Sequence, residues 1–205
     1  MAVETRRRQI EDAASALFRE RGYAATSVRD IAQRLNLQGG SLYAHVSSKE
    51  ELLWSIACRA ADRFHGDVGP LGRSDAPASQ RLRRMIRAHV GVVTSAQRDA
   101  AVFLHEWRYL SGERRQMIAG RRDTYEALFR AVIADGVTSG EFAPTEPRMS
   151  AMLMLSGLNG IATWYRPDGD LTPDQIADQY ADLFLRALAV PAAMPEPHFT
   201  TRTIT

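Results

Sequence analysis

Between positions 38 and 49 the chain gathers Gln38, Gly39, Gly40, Ser41, Tyr43, His45 and Lys49. The chemistry open to such a set is hydrogen bonding to a polyanion. An amide and a hydroxyl can read base edges, while a phenol, an imidazole and an ammonium can hold phosphates. The two glycines let a backbone come close. Lys49 is the only lysine in the chain. It stands where a helix is expected to begin, so its charge and the free helix N–H groups can act on the same phosphate. Covalent chemistry has no comparable set. His45 has no nucleophile near it, and His89 and His105 lack the spacing of a metal site. Cys58 is the one cysteine, which excludes an internal disulfide and a cysteine-based metal site. Its apolar neighbours suit a packed thiol rather than a nucleophile. No pair of carboxylates stands out. The expectation is a protein without catalysis, metal or cofactor, and a small all-α enzyme is the remotest alternative.

The elements around these residues would have to present them. Ser27 can cap a helix, with Asp30 three residues on, and Val28, Ile31, Ala32 and Leu35 give that helix one apolar face. Asn36 to Gly40 breaks it. A second short helix is expected from about Ser41 to His45. Ser48 and Glu51 read as a further capping box, which opens a long helix at Lys49. A major groove about 12 Å wide admits one helix, so the second helix must be short, exposed and small at its start. Leu42 and Val46 would face inward, and Tyr43 and His45 outward.

Residues 5–55 resemble the N-terminal DNA-binding domain of the TetR family of bacterial transcriptional repressors. The resemblance is carried by Ala14, Leu17, Phe18, Arg21-Gly22-Tyr23, Thr26-Ser27-Val28, Asp30-Ile31-Ala32, Gly40-Ser41-Leu42-Tyr43, His45 and Lys49-Glu50-Glu51-Leu52. It departs at Ala44, where relatives carry an aromatic, and at Val46, where they carry Phe. Thr26, Ser27, Gln38, Gly39, Gly40, Ser41, Tyr43, His45 and Lys49 are the candidate DNA contacts, with Tyr43 and Lys49 assigned mainly to phosphates and Gln38 and Ser41 to base edges.

Charge adds little to this. The net charge is only +2, and residues 1–49 hold eight basic side chains against five acidic ones. The Arg6-Arg7-Arg8 run fits a phosphate backbone and a solvated tip equally well. No apolar run approaches the length needed to span a bilayer, and the N-terminus lacks a signal-peptide pattern. This suits a cytoplasmic protein.

Helical periodicity continues to the end, and nine helices are expected in an all-α fold. They are placed at about 5–21, 28–35, 41–45, 49–64, 79–96, 98–110, 113–137, 148–165 and 172–188. The chain divides into a helix-turn-helix head (1–48), a connecting helix (49–66), a body for ligand binding and dimerisation (67–190) and a disordered tail (191–205). A break rich in Gly, Pro, Ser and Asp, from Gly66 to Ala78, separates head from body.

Phe103, Trp107, Tyr109, Met117, Arg121, Tyr125, Met152, Leu155, Asn159 and Trp164 are candidates to line an effector pocket in the body. The apolar ones serve equally well as plain core. Residues 149–161 are apolar nearly all round, and Gly157 and Gly160 would allow a second backbone close. Met149, Leu153, Gly157, Gly160, Ile176, Tyr180, Leu183 and Phe184 are assigned to a four-helix dimer interface. A two-fold dimer would set two reading helices about 34 Å apart on a palindrome.

Trp164-Tyr165-Arg166-Pro167, Gly169, Leu171-Thr172 and Gln179-Tyr180 are similar to a segment of TetR-family regulators that sense acyl-CoA thioesters. What the resemblances imply is a repressor of double-stranded operator DNA, released by a small apolar effector such as an acyl-CoA. An alternative is a repressor of drug efflux that senses lipophilic cations, for which Glu106 beside Trp107 and Glu126 beside Tyr125 are the candidate acids.

Overall fold

A computed structural model describes residues 2–37 and 42–189 of the chain. Among these residues are eight α-helices and one short 3-10 turn, in place of the nine helices expected. The helix expected at 41–45 lies partly outside the described residues; Leu42 and Tyr43 are helical and Ala44 and His45 turn. The tail beyond residue 189 and the contacts assigned to Gln38, Gly39, Gly40 and Ser41 also lie outside them.

The head begins with α1 (Ala2–Arg21), whose Ile10, Ala14, Leu17 and Phe18 are buried. Gly22 ends it at a φ of 83°, a conformation that costs glycine little. Helix α2 (Val28–Arg34) starts on the expected capping box. The Asp30 N–H donates to the Ser27 hydroxyl at 3.2 Å, and the Ser27 N–H donates to the Asp30 carboxylate at 2.7 Å. The next box is only half formed. Glu51 donates its N–H to the Ser48 hydroxyl, but its carboxylate accepts from the N–H of Ser47 instead of Ser48.

Helix α3 (Lys49–Gly72) runs well beyond the expected end at Phe64. Three glycines and a proline read as a break there, yet tertiary packing uses two of the glycines. Gly69 is buried, and a Cβ on Gly72 would meet the Met85 sulfur at 3.4 Å. Pro70 falls in the last turn, where one missing N–H does not stop the helix. The break narrows to 73–77.

The body follows as α4 (Ala78–Ser95), α5 (Gln97–His105), the 3-10 turn Trp107–Tyr109, α6 (Gly112–Thr138), α7 (Pro147–Trp164) and α8 (Pro173–Leu188). Helix α8 opens on a full capping box between Thr172 and Gln175, with Pro173 in its first turn. Helix α4 is central and touches α3, α6, α7 and α8, while α5 touches α1, α3, α4 and α7. The head therefore rests on the body mainly through α3 and α5. Ile176, assigned to a dimer interface, is 1% exposed instead and packs in the core where α8 docks on α4. Gly157 likewise serves this chain's own packing, since a Cβ there would meet the Phe184 ring at 3.3 Å.

Candidate functional site

The described part of the head presents fewer contacts than its sequence promises. Tyr43 is 59% exposed and Ser27 is exposed at the cap of α2, so both reach solvent. Thr26 is buried. Its hydroxyl donates to the Gly22 carbonyl at 2.9 Å and closes the turn between α1 and α2. His45 is half-buried rather than outward-facing, with Nδ1 out of solvent. Lys49 is a strut. Its ammonium donates to the carbonyls of Tyr23 at 2.9 Å and Thr26 at 2.8 Å, and sits 4.1 Å from the centre of the Tyr23 ring. Two of its three N–H donors are spent inside the protein, which corrects its assignment mainly to phosphates. The Arg6-Arg7-Arg8 run is also turned inward in part: Arg7 binds Glu11 and Glu51, and Arg8 faces Asp12 at 3.3 Å.

Polar bonds couple this head to the body. Glu11 of α1, 6% exposed, accepts from Arg59 at 2.5 Å and from Ser55 at 2.6 Å, both on α3. Arg59 also donates to Asp99 of α5 at 2.7 Å, and Asp99 accepts from Ser15 of α1 at 2.6 Å. The Glu106 carboxylate, beyond α5, accepts the Tyr23 N–H at 2.9 Å. Tyr109 stacks on Tyr23 with ring centres 5.3 Å apart. Glu106 and Tyr109 are thus part of the head–body seam, not of a pocket.

Inside the body, a cavity of 320 Å³ lies between α5, α6 and α7. Phe103, Tyr125, Met152, Leu155 and Asn159 all line it. The other candidates do not meet there. Trp107 stands beside it, with the Arg122 guanidinium 5.2 Å from its ring centre. Met117 and Arg121 line a different surface with His65, and Arg121 pairs with Asp62. Trp164 is 45% exposed at the end of α7. The reason is helix register: Ile118, Tyr125 and Phe129 of α6 are buried on one face, and positions 117 and 121 share another.

Arg122, one position on from the expected Arg121, lines this cavity as one of its two cations. Its spacing from Ile118 and Tyr125 was the available signal. The guanidinium lies 5.3 Å from the Phe103 ring centre, and burial, with Arg108 nearby, pulls its pKa below the ordinary value. Arg148 and Ser156 also line the wall, and so do Asp123 and Glu126. One Glu126 oxygen is buried without a hydrogen-bond partner among the described residues. Deeper in, the Tyr125 hydroxyl meets His89 Nδ1 at 2.9 Å. Burial holds His89 down at about 3 and raises Tyr125 well above the usual phenol value. Both groups are neutral at physiological pH, so the pair behind the Tyr125 wall of the cavity carries no charge.

On the outer surface of α7 and α8, Met149, Leu153 and Leu183 are 64%, 68% and 57% exposed. Tyr180 and Phe184 are half-buried against each other, and nothing lies within 4 Å of a Cβ built on Gly160. Among the described residues no helix is long and apolar enough to cross a membrane, and no cluster of ligating side chains could hold a metal.

Residues 10–56 match the family model for bacterial regulatory proteins of the tetR family, and residues 75–188 match the tetracyclin repressor-like C-terminal domain. The chain is 30% identical over 188 residues to the HTH-type transcriptional repressor KstR2 of Rhodococcus jostii, covering 91% of this chain and 92% of that one. The structure of the ketosteroid transcriptional regulator KstR2 of Mycobacterium tuberculosis superposes with a TM-score of 0.85 at 28% identity, over 91% and 96% of the two chains. AibR in complex with isovaleryl coenzyme A and operator DNA superposes with a TM-score of 0.79 at 31% identity, over 87% and 97%.

Proposed function

Because this chain belongs to the TetR family of bacterial regulatory proteins, and so is a DNA-binding transcriptional regulator and not an enzyme, we propose that it is a homodimeric repressor released from a palindromic operator by an acyl-CoA thioester. The observation that carries the effector reading is the cavity itself. Apolar walls from Phe103, Met152 and Leu155 suit an acyl group, and the Tyr125 hydroxyl and the Asn159 amide suit a carbonyl. The likeness to AibR with isovaleryl coenzyme A supports a short acyl chain. The exposed strip of Met149, Leu153 and Leu183 supports a second copy as its cover.

Release follows from what α5 touches. Phe103 of α5 lines the cavity, while Asp99 and Glu106 hold α1 and the turn after it. An acyl group that spreads the cavity moves α5, and the head follows. The shift is bounded by how much better the effector binds the spread state than the closed one. The test is a gel shift on DNA upstream of the gene, with isovaleryl-CoA, longer acyl-CoAs and free coenzyme A added in turn. Site-specific binding lost only with acylated CoA supports the reading. No site-specific binding at low salt overturns it.

One observation favours a second reading. The unpartnered Glu126 oxygen on the cavity wall would suit a lipophilic cation, hence a repressor of drug efflux. Arg122 and Arg148 in the same wall oppose it. Calorimetry with acyl-CoAs against lipophilic cations separates the two.

A further inference from the structure

A second cleft, of 590 Å³, opens where head meets body, and it shares no lining residue with the apolar cavity. Five arginines line it. Arg8 and Arg19 come from α1, Arg63 from α3, Arg98 from the first turn of α5, and Arg166 from the turn after α7. Asp99 and Asp168 are the only acids on the wall, which leaves an excess of three positive charges. Asp99 is already bound to Ser15 and Arg59. Arg8 and Arg63 face carboxylates of their own helices at 3.3 and 3.7 Å. Arg19, Arg98 and Arg166 form no ion pair within 4.0 Å among the described residues.

The cleft is held in shape. Gln97 is buried, and its side-chain N–H donates to the Tyr165 carbonyl at 2.6 Å, which ties the first turn of α5 to the residue before Arg166. Arg63 donates to Ser95 at 2.9 Å. No side chain caps α5, whose first turn lines the cleft, so its free N–H groups add to the positive field there. Gathering like charges on a concave wall is unfavourable without an anion, and it focuses the field on one. Guanidinium forks match phosphate oxygens in geometry and charge.

We propose that this cleft binds a small phosphorylated polyanion, carrying at least two phosphates, which staples Arg8 and Arg19 of the head to Arg63, Arg98 and Arg166 of the body. Its occupancy fixes α1 against α5 and favours one orientation of the head. The wall is built as much from the body as from the head, which favours a small ligand over the backbone of a duplex. The phosphates can belong to a free diphosphate or to the nucleotide end of a larger effector, and the experiment separates these sources.

The probe is inorganic pyrophosphate, titrated into the full-length protein by calorimetry. The double variant Arg98→Gln/Arg166→Gln is expected to weaken binding about a hundredfold, since each charge-assisted contact is worth roughly tenfold. The control Arg84→Gln/Arg115→Gln removes the same charge from exposed positions and is expected to bind like the parent. Arg19→Gln tests the head side alone, and circular dichroism checks that each variant folds. If coenzyme A without an acyl group displaces pyrophosphate, the site holds the nucleotide end of a larger effector; if only ADP and pyrophosphate compete, it holds a free diphosphate. No binding to the parent overturns the proposal. So does equal loss in both double variants, which would mean diffuse charge. A lower salt slope for operator binding in Arg98→Gln/Arg166→Gln, without any pyrophosphate binding, would place these arginines on DNA instead.

Discussion

The seam between head and body and the interior of the body are held by opposite means. At the seam a set of polar ties stands beside the Tyr109–Tyr23 stack: Glu11 to Arg59, Arg59 to Asp99, Asp99 to Ser15, Glu106 to Tyr23, and Glu50 to Ser111 at 3.0 Å. In the interior of the body most ties are apolar and aromatic. Phe64 lies 5.0 Å from His89, 5.6 Å from Phe103 and 5.6 Å from Tyr125, ring centre to ring centre. Apolar packing is non-directional and tolerates a ligand that fills a void. Hydrogen-bonded charges require fixed geometry and lose much of their value when it slips. A small change in the body can therefore be read out as a reorientation of the head, because the joint between them has few acceptable positions.

The sharpest way to break this comparison is Glu11→Leu. Arg59 would keep Asp99 but lose its buried partner, and stability should fall by about 3 kcal/mol, measured by chemical denaturation. Hydrogen exchange should rise in α1 and α2 well before it rises in α4. Equal loosening of both would show one cooperative unit with no distinct seam.

Acid should separate the two regions next. His89 is held at about 3 by burial, against an ordinary 6.5. Between those values the unfolded chain takes up a proton that the folded chain refuses. Stability is therefore complete above pH 6.5 and falls by about 1.4 kcal/mol per pH unit below it. Glu51, in the head, is held down at about 2 by hydrogen bonds from Ser47, with Arg7 adding to the effect. Its contribution is present above 4.5 and lost only as pH falls towards 2. Denaturation at pH 7, 6 and 5 should thus show a slope that His89→Gln flattens and Glu51→Gln does not touch. A slope unchanged in His89→Gln would mean that the buried imidazole is not what acid attacks.

What could be read from sequence follows the same division. Local signals were legible: the Ser27–Asp30 box sits where the spacing put it, because a cap depends on residues within one turn. Signals that depend on a distant partner were not. Gly66 to Gly72 reads as a break until α4 brings Met85 against it. Arg121 and Arg122 are indistinguishable until the face of α6 is known, and Ile176 reads as an interface until α8 docks on α4. Lys49 looks like a phosphate contact because nothing local shows the carbonyls of Tyr23 and Thr26 meeting its ammonium. Half of the cavity's lining, including Phe103 and Tyr125, could be assembled from sequence, while the arginines of the cleft, drawn from four separate segments, had no shared local signature.

Lys49→Met tests that last correction and also the character of the head. It removes two charge-assisted hydrogen bonds but keeps the aliphatic stem over Tyr23. Stability should drop by about 1–2 kcal/mol, discounted for the half-exposed site. Operator affinity should fall with it, while the salt dependence of binding should change by less than one charge. A loss of salt slope of a full charge, with stability intact, would restore Lys49 to the phosphates.

The smallest effect compares one cap in each region. Ser27 and Thr172 make the same capping box, Ser27 on α2 of the head and Thr172 on α8 of the body. Each replacement by Ala removes one hydrogen bond to the first helical turn, worth about 1 kcal/mol. Because the head is joined by few directional bonds, loss of the Ser27 cap should be felt locally: faster exchange in α2 and weaker operator binding, with little shift of the overall melting transition. The Thr172 cap steadies a helix packed along α4, so its loss should lower the melting transition and leave operator binding almost unchanged. The same chemical deletion would then give two different phenotypes, and the only variable between them is how the surrounding region is held. If both variants lowered both quantities equally, the polar seam would transmit stability as completely as the apolar core does. The head could then not reorient on its own, and release by an effector in the body would have to proceed through a change of the whole chain.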